Sequence, residues 1–225
     1  MHGGDRVSLV GRVRKLLASE GLSGLLGGAV RFVRTPMRQL FCRTEYYVHE
    51  FDLTSLDDDY PFPLAEGLEV HVIESDVDAE ALARSGYEDF RLVVPHSDRR
   101  LRSGAVGFCA YVDRRVAHTA WVGVTHRAKQ SFDELPYEVG FERDEGCSGG
   151  SWTFPAYRGK GIYRHVMWRR LRYLRDHGCS VCRDATEVGN APGIQGQQVF
   201  VTRTYGLLRV TRILGAARCA YVAFE

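Results

Sequence analysis

The residues with the clearest chemical potential form one short stretch, TFPAYRGKGIY, at positions 153–163. Two glycines flanked by Arg158 and Lys160 lead directly into a helix-like pattern. The first turn of a helix presents unpaired backbone N–H groups and the positive end of the helix dipole. Glycine lets a bulky anion approach that backbone closely. The stretch therefore predicts a binding site for a phosphate or diphosphate group.

A strand, a turn and a helix must position this stretch. Residues 151–154 read as a short strand, and Pro155 ends its pairing because proline cannot donate to a sheet ladder. Residues 161–177 form the strongest helical pattern of the chain, followed by a C-terminal cap at Gly178. Its apolar stripe consists of Tyr163, Met167, Leu171 and Leu174. The Walker motif and the dinucleotide-binding fingerprint are both absent.

The remaining patterns predict an α/β protein with a mixed sheet flanked by helices. A helix capped by Asp76 is predicted over residues 76–90, and a second helix over 191–205. Strands are predicted at 46–53, 68–74, 104–112, 116–125, 151–154, 179–186 and within 208–224. From residue 68 onward, the predicted order is β-α-β-β-β-α-β-α-β-β.

The N-terminal segment differs in charge from the rest of the chain. Residues 1–44 carry eight Arg and Lys residues against Asp5 and Glu20, whereas the whole chain has a net charge of +2. This asymmetry indicates an anionic partner. Residues 6–41 read as two short amphipathic helices, which either pack on the body or lie on an anionic membrane surface. An acidic, proline-containing loop marks the end of an arm and linker that we assign to residues 1–60.

Composition excludes several classes of protein. Six cysteines are dispersed, and the single CxxC pair, Cys179 and Cys182, has no second pair to complete a metal site. We therefore expect no metal, and buried thiols in a reducing cytoplasm. Charges interrupt the apolar stretches near the N-terminus, so neither a signal peptide nor a membrane span is expected. Nucleic acid is disfavoured as a partner, because the arm has few aromatic residues and the body is acidic.

The quoted stretch resembles the acyl-CoA-binding motif of the GNAT (GCN5-related N-acetyltransferase) superfamily, Arg/Gln-x-x-Gly-x-Gly/Ala. Arg158, Gly161 and Tyr163 fall on its three defined positions, and Tyr163 departs from the small residue usual there. The resemblance covers residues 68–224. It implies the GNAT fold, an acyl-CoA-binding catalytic domain at residues 61–225 and an N-terminal helical arm before it.

The resemblance also implies a set of cofactor-binding residues for acetyl-CoA or another acyl-CoA. The diphosphate would meet Arg158 and the backbone of Gly159, Lys160, Gly161, Ile162 and Tyr163. The strand edge at Trp152 and Thr153 would pair with the pantetheine amides, as an added strand does. Asn190 would lie near the pantetheine arm.

Direct transfer to an amine needs a base for the ammonium, a donor for the carbonyl oxygen and an acid for the thiolate. The base is expected in the loop before the motif strand, with Glu145 and Glu142 as the best pair. Alternatives for the base are Glu138, Asp144, His118 and His126. The family often takes its acid from a tyrosine in the last helix. That helix has none at the expected register, so Tyr205 is the nearest candidate.

These features together predict a cytoplasmic acyl-CoA-dependent N-acyltransferase, with peripheral contact at the inner membrane surface as an option for the arm. The acceptor would be a primary amine on a small metabolite, an amino sugar or an amino acid derivative. Two alternatives stay open: a non-catalytic GNAT-fold module that binds acyl-CoA or lipid, and transfer from an acyl carrier protein. A carrier protein would dock on Arg164, Arg169, Arg170 and Arg172. A homodimer is compatible with the sequence.

Overall fold

The structure is a computed structural model that describes residues 41–60, 62, 63, 65–213 and 216–224. Its strands are β1 (Phe41–Asp52), β2 (Leu68–Ile73), β3 (Val106–Val112), β4 (Arg115–Gly123), β5 (Glu145–Thr153), β6 (Val181–Glu187), β7 (Arg203–Ile213) and β8 (Ala216–Ala223). They lie in one sheet in the order β2-β3-β4-β5-β6-β1-β7-β8. β5 and β6 are parallel, whereas β4–β5 and β1–β6 are antiparallel. The predicted mixed sheet is confirmed.

The helices are α1 (Asp76–Arg84), α2 (Phe90–Val93), α3 (Ser97–Arg102), α4 (His126–Phe132), α5 (Ile162–Asp176) and α6 (Ala191–Gln197). Apolar residues of α5, among them Val166, Met167 and Leu171, pack on one side of the sheet. Residues of α1 to α4 pack on the other side with Trp121 and Tyr111. We call these two sides the α5 face and the α4 face. Each central strand is therefore covered on both faces, which makes its side chains part of one of two cores.

The bounds of two helices predicted from the sequence need correction. The helix predicted over 76–90 ends at Arg84, and its N-cap is Ser75, which forms a capping box with Asp78. The helix predicted over 191–205 ends at Gln197, and the chain enters β7 at Arg203. Two glycines and a proline within residues 191–197 give little helical propensity to extend it. Tyr205 accordingly lies on a strand rather than on a helix.

The predicted hairpin of β3 and β4 and the long helix α5 are both present. Val112 pairs with Arg115 across a two-residue turn in which Asp113 and Arg114 both have positive φ, as a tight turn matching strand twist requires. Helix α5 ends before Gly178, which has φ +88° at the position where a left-handed residue closes the last turn.

The arm assigned to residues 1–60 lies outside the described residues up to position 40, so its structure and its membrane contact stay predictions. Within the described part of that range, β1 pairs with β6 along Tyr46–Asp52. Contacts divide the chain into two units, and residues Glu45–Arg209 with Ala220–Glu225 form the unit that holds the site described below. Among the described residues, no helix is long and apolar enough to cross a bilayer.

Candidate functional site

The two central parallel strands separate in the middle of the sheet. β5 pairs with β6 only through Glu145, Gly146 and Cys147. Beyond that point β5 stays paired with β4 on one side, and β6 stays paired with β1 on the other. The edge of β5 from Ser148 to Thr153 that would face β6 therefore has no strand partner among the described residues. Unpaired strand edges bind extended ligands through main-chain hydrogen bonds.

A bulge in β5 lies at the base of this opening. Thr119 of β4 faces Trp152 and Trp121 faces Gly149, so β5 has one extra residue between the two pairs. Because of the extra residue, Cβ atoms built on Gly149 and Gly150 would both point toward the α4 face. A Cβ on Gly149 would lie 3.3 Å from the Phe132 ring, and one on Gly150 3.6 Å from Phe132 Cβ. A bulge at this position re-aims backbone N–H groups that a regular ladder would engage.

The glycine turn, residues 158–161, lies between the end of β5 and the start of α5. Gly159 and Gly161 have φ of +76° and +74°, in the left-handed region that glycine adopts at no steric cost. Among the described residues, no atom lies within 4 Å of a Cβ built on either of them. Gly161 is the N-cap of α5 and supplies no side-chain cap to its first N–H groups. The turn is therefore an exposed stretch of backbone at a helix N-terminus, an arrangement that can receive phosphate.

Two basic side chains border the glycine turn. Arg158 donates from Nε to the carbonyl of Thr153 at 3.1 Å, and its guanidinium lies 5.1 Å from the centre of the Trp152 ring. The ammonium of Lys160 lies 5.5 Å from the centre of the Tyr157 ring. Trp152 is 54% exposed, so the indole and the Arg158 guanidinium both face solvent beside the turn. Arg158 thus ties the turn to the end of β5 while its charge remains available to an anion.

Tyr163 lies on the packed side of α5, as the sequence predicted, but its side chain also makes a polar contact with α6. Its hydroxyl donates to Gln197 Oε1 at 3.0 Å, and Gln197 in turn donates to Thr186 at 2.8 Å. The ring packs so closely on α6 that a Cβ on Gly196 would come within 2.4 Å of it. Burial raises the pKa of the Tyr163 hydroxyl. The side chain therefore leaves the glycine turn and links α5, α6 and β6, while its backbone stays in the first turn.

Asn190 lies at the start of α6, as the resemblance implied, and its side chain forms a hydrogen bond within that helix. Its Oδ1 accepts from the backbone N–H of Gly193 at 3.1 Å, which caps the helix. Because α6 starts directly after β6, this cap fixes the chain at the open end of the divergent strands.

A buried polar cluster lies on the α5 face of the opening. Ser148 donates to Asp184 at 2.7 Å, at the first position where β5 and β6 no longer pair. His118 Nδ1 lies 2.7 Å from Thr153 Oγ1, and the Arg170 side chain is fully buried below them. Burial raises the pKa of Asp184 to about 7, although Arg170 and Ser148 act in the opposite direction. Burial, aided by the charge of Arg170, lowers the pKa of His118 to about 3.

Two of the predicted catalytic residues are brought together by Arg183. Glu145 accepts from Arg183 Nε at 3.2 Å and from the backbone N–H of Gly140 at 2.9 Å. Burial opposes ionisation of Glu145, but these hydrogen bonds outweigh it and lower its pKa. The guanidinium of Arg183 also lies 4.3 Å from the centre of the Tyr205 ring. Glu142, in a 3-10 turn, is exposed.

The position of Glu145 along β5 disfavours it as a direct base. It lies four residues before Gly149, a separation of about 13 Å at the usual strand rise. A carboxylate whose pKa is lowered by an arginine and a backbone N–H is also a weaker base. Any role of Glu145 in proton transfer would therefore act through water.

We expect Glu145→Gln to lower the free energy of unfolding by about 1–3 kcal/mol, because it leaves the buried Arg183 with less compensation. Urea unfolding measures this change. Glu142→Gln is the matched control at an exposed position and should change stability by less than about 0.5 kcal/mol. Equal stability of the two variants would contradict a structural role for Glu145.

A pair of charged residues on the α4 face, Lys129 and Asp133, was not identified from the sequence. Asp133, at the end of α4, accepts from Tyr137 at 2.6 Å and from the backbone N–H of Leu135 at 2.9 Å. Lys129 lies 3.9 Å from Asp133 and donates to the Leu135 carbonyl. A Cβ on Gly149 would lie 3.8 Å from Asp133 Cβ. The i, i+4 spacing of Lys129 and Asp133 was visible in the sequence, but their position beside the bulge was not.

The other base candidates lie elsewhere. His126 is the first residue of α4 and packs edge-on against Phe141. Glu138 and Asp144 are exposed. No group of His, Cys, Asp and Glu in the described part of the chain could hold a metal ion.

Comparison with solved structures places these features in a known fold. The chain is similar to the GCN5-related glucosamine N-acetyltransferase region of a fungal multi-domain β-N-acetylglucosaminidase, with a TM-score of 0.50, 13% identity, and 82% of this chain and 23% of that chain covered. It is also similar to a GNAT-family acetyltransferase, described as putative, from Novosphingobium aromaticivorans. The TM-score is 0.47 at 15% identity, and 76% of this chain and 64% of that chain are covered. A third similar structure is a GCN5-related N-acetyltransferase from Kribbella flavida. The TM-score is 0.48 at 12% identity, and 80% of this chain and 63% of that chain are covered.

The chain has the GNAT fold, as the resemblance implied. At these identities the similarity shows the fold alone. The chain spans less than two thirds of the length of each of these solved chains. No family model and no curated protein matches the sequence.

Proposed function

We propose that the protein is an acyl-CoA-dependent N-acyltransferase that transfers an acetyl group directly to a primary amine of a small metabolite. One observation carries this proposal: the unpaired edge of β5 leads directly into the open glycine turn at the N-terminus of α5. An extended chain that ends in a diphosphate fits this combination. Coenzyme A is such a molecule.

The residues present fit acyl-CoA. The backbone of residues 159–163 would receive the diphosphate, with Arg158 and Lys160 adding positive charge. The edge of β5 through Trp152 and Thr153 would pair with the pantetheine amides. Tyr163 takes part through its backbone only, because its side chain is held by Gln197. Asn190 would act by fixing α6 beside the pantetheine arm.

The proposed reaction is direct. The neutral amine attacks the thioester carbonyl carbon, the C–S bond breaks, and the products are an amide and the free thiol of coenzyme A. The bulge at Gly149 and Gly150 supplies backbone N–H groups that can stabilise negative charge on the carbonyl oxygen. The Ser148–Asp184 pair holds a proton at the base of the opening, where the thiolate departs. Glu142 and, through water, Glu145 remain our candidates for accepting the amine proton, and Tyr205 for donating one.

A second candidate is a module that binds acyl-CoA without turnover. It is favoured by α6, which contains no tyrosine. Transfer from an acyl carrier protein is less well supported, because two of the four arginines proposed to dock it are engaged within the chain. Arg170 is fully buried, and Arg172 donates to the carbonyl of Asp58.

Thiol release from acetyl-CoA in the presence of a panel of primary amines tests this proposal. We expect amine-dependent release with the full chain, and native mass spectrometry should show retained coenzyme A or acyl-CoA. Saturable coenzyme A binding without amine-dependent release would favour the non-catalytic module. Absence of coenzyme A binding would refute both.

A further inference from the structure

A fully buried cation lies beneath the unpaired edge of β5. Arg170, on the packed side of α5, is 0% exposed. At one end of the edge Ser148 donates to Asp184. At the other end Thr153 contacts His118. Burial, aided by the charge of Arg170, lowers the pKa of His118, and the same charge opposes the rise that burial causes in the pKa of Asp184. Because its charge acts at both ends, Arg170 lies under the edge with which the pantetheine amides are proposed to pair.

The guanidinium of Arg170 has no anionic partner among the described residues. Its Nη2 lies 2.8 Å from Met167 Sδ, which is a weak acceptor. Its Nε and Nη1 have no hydrogen-bond partner, and no described carboxylate forms an ion pair with it. Burying a cation without a compensating anion costs free energy of folding. Such a charge is useful where negative charge develops beside it during a reaction.

Four titratable side chains from β4, β6 and α5 feel the charge of Arg170, and only one of them ionises near neutral pH. Burial raises the pKa of Cys182 to about 12 and raises that of the Tyr163 hydroxyl well above its ordinary value. His118, with a pKa lowered to about 3, is neutral. Asp184, with a pKa raised to about 7, is neutral below that pH. The cluster therefore carries one uncompensated positive charge below pH 7.

We infer that Arg170 stabilises the coenzyme A thiolate that leaves when the acyl group is transferred. This inference rests on the proposed function and adds a residue to it. When the amine attacks the thioester, the C–S bond breaks and its electron pair stays on sulfur. The thiolate forms next to the Ser148–Asp184 pair, takes the proton of Asp184, and Asp184 is reprotonated from solvent. Arg170 acts through its electric field and needs no contact with the sulfur. A fixed charge in a buried site stabilises such an anion without reorganisation.

The pKa of the thiol of bound coenzyme A tests the inference, because burial alone would raise this pKa and a nearby cation would lower it. Ultraviolet absorbance of the thiolate follows the titration, with the desulfo-coenzyme A complex as the blank. Asp184→Asn is the protein used, since an ionised Asp184 would offset the guanidinium above pH 7. We expect the acid dissociation constant of the bound thiol to exceed that of free coenzyme A about 10-fold or more. A constant equal to or below that of free coenzyme A overturns the inference.

Substitutions of Arg170 in the same Asp184→Asn protein identify the source of the effect. Arg170→Met removes the charge and keeps the length of the side chain. Replacing a buried, uncompensated charge by an apolar group is often neutral or stabilising, so the melting temperature should hold or rise. The bound thiol should then be no more acidic than free coenzyme A, whereas Arg170→Lys should keep most of the effect. Arg99→Met removes the same charge at an exposed position of α3 and should change nothing. Equal thiol pKa values with Arg170 and with Met at this position would overturn the inference.

Affinity for desulfo-coenzyme A separates failure of this inference from failure of the proposed function. This molecule has the diphosphate and the pantetheine amides but no sulfur, so its binding to the full chain, measured by calorimetry, reports on the proposed function alone. We expect Arg170→Met to leave that affinity unchanged. Binding of both molecules without acidification of the thiol overturns only the role of Arg170. Binding of neither overturns the proposed function, and the role of Arg170 with it.

Discussion

Gly161→Asp is expected to weaken coenzyme A binding by about 100-fold or more. Gly161 lies at the N-terminus of α5 with φ +74° and with open space where a Cβ would go. Aspartate tolerates the left-handed region and is a favoured N-cap, so the variant should fold. Its carboxylate, however, would lie in the open space beside the helix N-terminus and repel the diphosphate at short range. A 100-fold loss corresponds to about 2.7 kcal/mol, which one repulsive charge contact near a protein surface can supply.

The opposite end of the same helix provides the control. Gly178 has φ +88° and likewise has no atom within 4 Å of a built Cβ. Gly178→Asp therefore places a similar strain and the same charge at the other end of α5. We expect no change in coenzyme A affinity from it. Gly161→Asn separates charge from volume and should have an intermediate effect. Equal affinities of the two aspartate variants, measured by calorimetry, would remove the basis for the proposed coenzyme A site.

The glycine turn and its flanking elements could be predicted from the sequence because they are contiguous. Pro155, the two glycines of the turn and the helix behind them follow one another within 25 residues. Each has a local preference that tertiary structure rarely overrides: proline ends pairing, glycine adopts positive φ, and an apolar stripe makes a helix. The order of strand, turn and helix thus follows from local chemistry.

The packing on the α4 face of β5 could not be predicted in this way, because it depends on register. Whether Asp133 and Arg100 approach the same point of β5 is decided by one extra residue in that strand, and a bulge has no reliable sequence signature. The sequence favours Glu145 as the base because it lies in the predicted loop close to the strand at 151–154. At the usual strand rise, this position is about 13 Å from the bulge. In the structure, Glu145 forms an ion pair with Arg183.

Tyr163 illustrates a misleading periodic pattern. Its spacing from Met167, Leu171 and Leu174 places it on the buried side of α5, as predicted. Its hydroxyl, however, finds a partner on α6, and buried tyrosines generally need one. The residue that departs from the family motif therefore has a structural use that only the packing of α5 on α6 reveals.

The stability of the protein is expected to fall as pH rises from about 4 to 7, owing to Asp184. This carboxyl is 5% exposed on the α5 face, and burial raises its pKa to about 7. The polar groups around it include Ser148 on β5, Arg170 and Tyr163 on α5, and His49 opposite it on β1. The charge of Asp133 also raises the pKa of Asp184. Between the unfolded and folded pKa values the folded state binds more protons, so stability decreases with pH there.

Asp184→Asn should remove this dependence, because asparagine resembles the protonated form that the folded protein prefers. At pH 5 the variant should already be more stable by about 1.5 kcal/mol, because the carboxyl of the unfolded parent is ionised there. At pH 8 the difference should grow to about 4 kcal/mol, because the pKa of the folded carboxyl is raised from 3.8 to about 7. Urea unfolding at both pH values measures the difference, and Asp144→Asn is the control at an exposed aspartate. A variant less stable than the parent at pH 8 would mean that Asp184 is ionised there and paired with Arg170. A variant more stable than the parent at pH 8 would mean that the Asp184 carboxyl is neutral below pH 7. In that case a proton, rather than a negative charge, lies at the base of the opening between β5 and β6.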